Sequence, residues 1–365
     1  MQYVFILGRN PNLSVAEILA VLPKSQIINR NDSFLILETK KTLDCNWLLD
    51  QLGGTIKIGQ IIAQNVDWQI IIDDLLAQKV TGKLNFGLSY YLCQPQRTGL
   101  EIKKILQQAG VKSRLVTSRE AALSSVVVTK NKCQEFLILQ NQLLAKTCSV
   151  QKFEDYSQRD FGRPARDTFS GTLPPKLAKI MINLAQVPQS ATILDPFCGS
   201  GTILQEALVL GYQQVVGTDN SAKAIAETKR NLAWLVNNYP AVSKDFQVQL
   251  VDVRSLSQTI KTADAIVAEP YLGPALRGHE SLAQVKIIIE QLEDLYLDAF
   301  SEFARVLDTG GRVVIVFPYF TKHKLTLEIL SNIEELGFTK ISPDDLVYSR
   351  PNQQVWREVL VFTKD

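Results

Sequence analysis

Histidine is almost missing from this chain: His279 and His323 are the only two among 365 residues. Histidine-based metal centres and nucleophile activation are therefore disfavoured, and no metal ligand set is expected. Cysteine is sparse as well. Cys45, Cys93, Cys133, Cys148 and Cys198 are odd in number, scattered, and include no C-x-x-C pair. That usage argues against a structural zinc and for a reducing, cytoplasmic setting. Long apolar runs are lacking too. None approaches the roughly 20 residues that cross a bilayer, so no membrane partner is expected. The opening MQYVFILGRN is apolar too early and too briefly for a signal peptide.

What is present is ordinary globular composition, 46% hydrophobic and 21% charged, with material for two or three domains. The net charge of +2 is unevenly spread. Residues 1–190 carry 23 Lys+Arg against 15 Asp+Glu, whereas residues 191–365 carry 16 against 22. A basic first half joined to an acidic second half suits a protein whose front holds a polyanion.

The second half is organised around Ile193–Gln205, ILDPFCGSGTILQ. A short apolar strand ends at Asp195, turns through Gly199 and Gly201, and becomes an apolar helix from Thr202. Glycines let the backbone approach a ligand, and the N–H groups of a helix start attract negative charge. A P-loop needs a lysine after the second glycine, and none follows. A dinucleotide fingerprint places a small third residue where Leu204 stands, which disfavours an NAD-dependent enzyme. Further strands are predicted to end at Asp219, Asp252 and Ala268-Glu269-Pro270-Tyr271, alternating with helices over 222–234, 281–307 and 322–336. Such alternation predicts an α/β fold with a mostly parallel sheet, binding its ligand beyond the carboxyl ends of the strands.

Asp195-Pro-Phe-Cys-Gly-Ser-Gly-Thr resembles motif I of S-adenosylmethionine (SAM) methyltransferases that modify base amino groups. Arg159-Asp160, Arg163-Pro164, Pro175, Leu177-Ala178 and Asn183-Leu184-Ala185 resemble the segment before motif I in archaeal-type tRNA (guanine-10-N2) methyltransferases. The opening FILGRNPNLSVAEILAVL resembles the start of the same family, with a capping box at Ser14 and Glu17. The resemblance implies a Rossmann-like methyltransferase domain with a mostly parallel seven-stranded sheet over 176–365. A linker over 151–175 precedes it, and before that an α+β ferredoxin-like and THUMP-type RNA-binding region over 1–150. Within the front, Lys103, Lys104, Lys112, Arg114, Arg119, Lys130 and Lys132 become candidates for phosphate contacts, and the Arg-rich linker suits a phosphate backbone. The sequence over 121–130 reads as strand, and the linker as irregular.

By the same resemblance, SAM is the cofactor and tRNA the partner, joined in eukaryotic relatives by a small activator protein. Asp195 faces the amino-acid head of SAM, with Pro196, Phe197, Cys198, Gly199, Ser200, Gly201 and Thr202 around its carboxylate and ribose edge. Asp219 and Asn220 take the ribose hydroxyls, Asp252 and Val253 the adenine, and Phe169 and Thr172 lie over the methionine. The family's target motif is Asp/Asn-Pro-Pro-Tyr/Phe, whose first side chain holds the amine while the aromatic stacks on the base. Here Ala268 stands at the acid position, so Glu269 is expected to accept from the amine, with Pro270 and Tyr271 completing the catalytic set. The expected reaction is methyl transfer to guanosine N2 in tRNA. A DNA amino-methyltransferase acting on adenine N6 or cytosine N4 shares the same second half. A non-catalytic RNA-binding protein that retains the SAM fold is the third reading, prompted by Ala268 and Glu269.

Overall fold

The computed structural model describes residues 1–78, 82–165, 172–351 and 353–365. They form two compact units, one of Met1–Pro11 with Leu22–Glu154, the other of Asn12–Val21 with Asp155–Asp365. The chain begins β1 (Gln2–Leu7), α1 (Pro11–Val21), β2 (Gln26–Arg30), β3 (Phe34–Glu38), α2 (Cys45–Gln51) and β4 (Thr55–Ala63). It continues α3 (Trp68–Leu76), β5 (Leu84–Tyr91), α4 (Thr98–Gln108), β6 (Ser113–Val116), α5 (Ser125–Lys130), β7 (Gln134–Leu139) and β8 (Leu144–Val150). In this unit the strands build one sheet of order β2-β3-β1-β4-β8-β7-β5-β6. Its interior holds a fully buried ion pair: Lys57 Nζ lies 2.5 Å from Glu135 Oε1 and donates to Leu123 O at 2.6 Å. Thr147 Oγ1 donates to the other carboxylate oxygen, so both charges are compensated.

The second unit adds α6 (Phe153–Phe161), α7 (Pro175–Ala185), β9 (Thr192–Asp195), α8 (Thr202–Val209), β10 (Gln214–Asp219), α9 (Ala222–Asn238) and β11 (Phe246–Leu250). It ends with α10 (Leu256–Thr259), β12 (Ala263–Ala268), α11 (Leu282–Val306), β13 (Leu307–Phe320), α12 (Leu330–Glu335), β14 (Phe338–Lys340), β15 (Val347–Tyr348) and β16 (Val355–Lys364). The sheet order is β11-β10-β9-β12-β13-β16-β14. β11 through β13 run parallel, while β16 pairs antiparallel with β13, β14 and β15. The expected mostly parallel sheet is therefore present, with the two-residue β15 making eight strands. Apolar clusters cover both faces, as a parallel sheet requires. Among the described residues, no helix is long and apolar enough to cross a membrane.

Local sequence explains most elements. Pro175 opens α7 at a position where its missing N–H costs nothing, and Ser221 caps α9 by accepting from Ala224 N. Ser281 and Gln284 form a capping box at the start of α11. Four expectations need correction. α1 starts at Pro11, so Ser14 lies inside it, and Glu17 is buried, accepting from Asn183 Nδ2 at 2.8 Å. Residues 125–130 form α5, capped by Ser124, in place of a strand. The helix over 322–336 shrinks to α12, because Lys324 takes a positive φ and Leu325 bridges back to Phe320. The linker is not irregular over Phe153–Phe161: Tyr156 and Arg159, three residues apart, bury one face of α6.

Candidate active site

Parallel pairing aligns the ends of β10, β9 and β12 at one edge of the sheet, where the turn after β9 begins. That turn needs its glycines. Gly199 has φ +51 and Gly201 has φ +84, and a Cβ on Gly201 would lie 2.9 Å from Thr228 Cγ2. Leu204, the bulky residue in α8, is accommodated because β10 offers Gly217 opposite it. A Cβ there would collide with Leu204 Cδ1 and come 3.1 Å from Cys198 Cβ.

Beyond these strand ends lies a cavity of about 910 Å³. Ligand sites commonly measure roughly 300–1,000 Å³, so there is room for a nucleoside-sized cofactor and part of a second ligand. Of the expected residues, Thr172, Asp195, Pro196, Phe197, Cys198, Gly199, Ser200, Thr202, Asp219, Asn220, Asp252, Val253, Glu269, Pro270 and Tyr271 line it. Gly201 does not; it shapes the turn. Phe169 lies outside the described residues.

Each acid is held differently. Asp219 Oδ2 accepts from Gly199 N at 2.9 Å and Oδ1 from Ser221 N at 2.8 Å, which orients its carboxylate and leaves one lone pair on each oxygen. Asp252 Oδ1 accepts from Arg254 N at 2.9 Å. Asp195 is buried and accepts from Phe197 N at 3.1 Å. Burial pushes its carboxyl well above the usual range; the Phe197 hydrogen bond opposes this, and the negative charges of Asp219 and Glu269 add to it. A buried acid at a cavity wall, with acids as its charged neighbours, suits a ligand that brings a cation. Burial raises the Cys198 thiol strongly, so Cys198 stays protonated and packs as an apolar side chain.

At the end of β12, Ala268 points into the core at 0% exposure and the next residue, Glu269, turns to the cavity. Tyr271 is 57% exposed, a free aromatic face beside the cavity. Glu269 is not alone. Arg357 of β16 donates through Nε to its Oε1. Sequence reasoning missed Arg357, although an arginine inside the apolar run Val355–Phe362 was the available signal. Lys223, Arg254, Gln353 and Gln354 also line the cavity unforeseen.

Two linker arginines differ from expectation, and Arg166 lies outside the described residues. Arg159 is 1% exposed, its Nε 2.5 Å from Glu206 Oε1, with Asp155 on its other side. Arg163 is buried and donates to Thr202 Oγ1 at 2.8 Å. Both side chains are committed to α8, so neither is exposed to a phosphate backbone.

Residues 163–332 match the family model described as RMKL-like, methyltransferase domain. This stretch is similar to the methyltransferase domain of that family. A second model, described as DNA methylase, matches residues 68–230. Among curated proteins, tRNA (guanine(10)-N2)-dimethyltransferase of Methanothermobacter thermautotrophicus is 32% identical over 186 residues, 50% of this chain and 49% of that protein. Its namesake from Methanocaldococcus jannaschii is 28% identical over 200 residues, 53% of this chain and 50% of that protein. The chain thus spans about half the length of the curated relatives it matches. The crystal structure of TrmN from Thermus thermophilus aligns over 100% of both chains with TM-score 0.54 at 17% identity, so the fold is shared from end to end. The second unit accordingly carries the Rossmann-like α/β fold that its motif I implied.

Proposed function

We propose that this chain methylates an exocyclic base amine in tRNA, guanosine N2, using SAM held in the cavity beyond β9, β10 and β12. One observation carries the reading: Asp195, Asp219, Glu269 and Tyr271 line a single cavity next to the Gly199–Gly201 turn. The residues suit SAM. Asp195 is a buried acid awaiting a cation, and Asp219 is oriented for a diol. The space at Gly199 is open: the nearest atom to a Cβ placed there would be Phe197 O, at 3.9 Å.

Bound SAM supplies an electrophilic methyl on a sulfonium. The protein's share is geometric. An exocyclic amine is a poor nucleophile because its lone pair is delocalised into the ring. Glu269 accepts a hydrogen bond from one N–H of the amine, a backbone carbonyl of the same turn accepts from the other, and Tyr271 stacks on the base. Held so, the lone pair points at the methyl, and positioning dominates the rate. The nucleic acid reaches the protein in a cytoplasmic setting, and the exposed Lys104, Lys112 and Arg114 of the first unit contact its phosphates.

The match of a DNA methylase model over 68–230 favours DNA as the second reading. Incubation with methyl-labelled SAM and either in-vitro-transcribed tRNA or duplex DNA separates them. Label is expected in tRNA alone; label in DNA alone overturns the proposal in favour of the second reading, and label in neither overturns both.

A further inference from the structure

In a glutamate the carboxylate sits one methylene farther from the backbone than in an aspartate, with one more rotor to order. At the end of β12 the acid is also displaced by one residue, from Ala268 to Glu269. An acceptor for a single N–H bond must be fixed within a fraction of an ångström, so something has to hold this one. Arg357 does so from a different strand. It stands opposite Pro318 in the β13–β16 ladder, two strands away from β12, and its side chain returns to the cavity rim to meet Glu269. The two side chains are 10% and 15% exposed, and both line the cavity.

The contact is one-sided. Nε of Arg357 binds Oε1 of Glu269, and among the described residues no further hydrogen bond engages either side chain. Oε2 therefore keeps its acceptor capacity. The guanidinium also supplies the counter-charge that a mostly buried acid needs beside Asp195 and Asp219.

We propose that Arg357 is a positioning residue for methyl transfer, locking the Glu269 carboxylate through Oε1 so that Oε2 receives the N–H of the target amine. The inference rests on the function proposed above and adds to it a residue from the far end of the chain. Its side-chain hydrogen bond goes to Glu269 and to none of the residues assigned to SAM, so its loss is expected to affect the transfer step and spare SAM binding.

The test uses the full chain with Arg357→Met, Arg357→Lys, Glu269→Gln and the Arg357→Met/Glu269→Gln double variant. Methyl transfer from labelled SAM to in-vitro-transcribed tRNA gives kcat and KM, calorimetry gives the SAM dissociation constant, and thermal melting reports folding. Misplacing a reacting group by about 1 Å costs on the order of 10²-fold. Arg357→Met is expected to lower kcat by about that factor, with SAM affinity and KM for tRNA near wild type. Glu269→Gln falls comparably, the double variant is no worse than the weaker single, and Arg357→Lys recovers part of the loss. A folded Arg357→Met with wild-type kcat overturns the inference, and so do single losses that multiply in the double variant. If Arg357→Met does not fold, Arg357→Gln, which is too short and uncharged to replace the ion pair, takes its place in the same cycle with the same criteria. A wild-type chain that transfers no methyl at all sinks the underlying function and this inference with it; an active wild type indifferent to Arg357 sinks the inference alone.

Discussion

Asp195 ends β9 in a buried position where its charged form is disfavoured, chiefly by burial and then by Asp219 and Glu269. Its folded-state pKa lies above the unfolded value of about 3.9, so the folded protein holds a proton that the unfolded chain has released. Stability from this group is therefore present below pH ~4 and declines as pH rises through the folded value. Asp195→Asn should accordingly gain stability relative to wild type as pH increases over that window, measured by urea unfolding. A cationic ligand group reverses the preference. SAM binding is expected to release protons from wild type and not from Asp195→Asn, which calorimetry in buffers of different ionisation enthalpy detects. Tyr271 makes a contrasting residue. It is exposed and idle without a base. Stacking contributes about 1–3 kcal/mol per base. Tyr271→Ala should thus lower kcat/KM for tRNA by roughly 5–150-fold and leave SAM affinity unchanged.

At the level of elements, the strand–turn–helix from β9 to α8 was legible because its determinants are local: a strand-end acid, two glycines, and an apolar helix. Its packing was only half legible. Leu204 signalled what the turn was not, but the glycine that accommodates it lies on the next strand. Gly217→Val should destabilise the protein by about 1–3 kcal/mol through collision with Leu204 and Cys198, read from urea unfolding. The helix α6 escaped sequence reasoning for a similar reason. The chemistry of Phe153–Phe161 reads as polar until Glu206, 47 residues on, is seen to pair with Arg159. Arg357 meets Glu269 across 88 residues, a partnership that no spacing rule reports. Conversely, α12 is shorter than its apolar periodicity because a tertiary bridge between Phe320 and Leu325 overrides local helix preference.

Over the whole molecule, the charge division seen in the sequence carries a further expectation. The first unit exposes Lys104, Lys112, Arg114, Arg119, Lys130 and Lys132, while the acids of the cavity belong to the second. Reversing Lys104, Lys112 and Arg114 to Glu should weaken tRNA binding and flatten its salt dependence, with SAM affinity unaltered, as filter binding across salt concentrations would show. The fold class and the row of strand-end acids were readable from alternation and motif, and the resemblance pointed to Tyr271, which lines the same cavity. The pairing of Arg357 with Glu269 was not readable. The most direct measurement is nucleoside mass spectrometry of in-vitro-transcribed tRNA treated with the protein and SAM. N2-methylated guanosine is expected with wild type and none with Glu269→Ala. Unmodified guanosine with wild type, or methylation that survives Glu269→Ala undiminished, would contradict it.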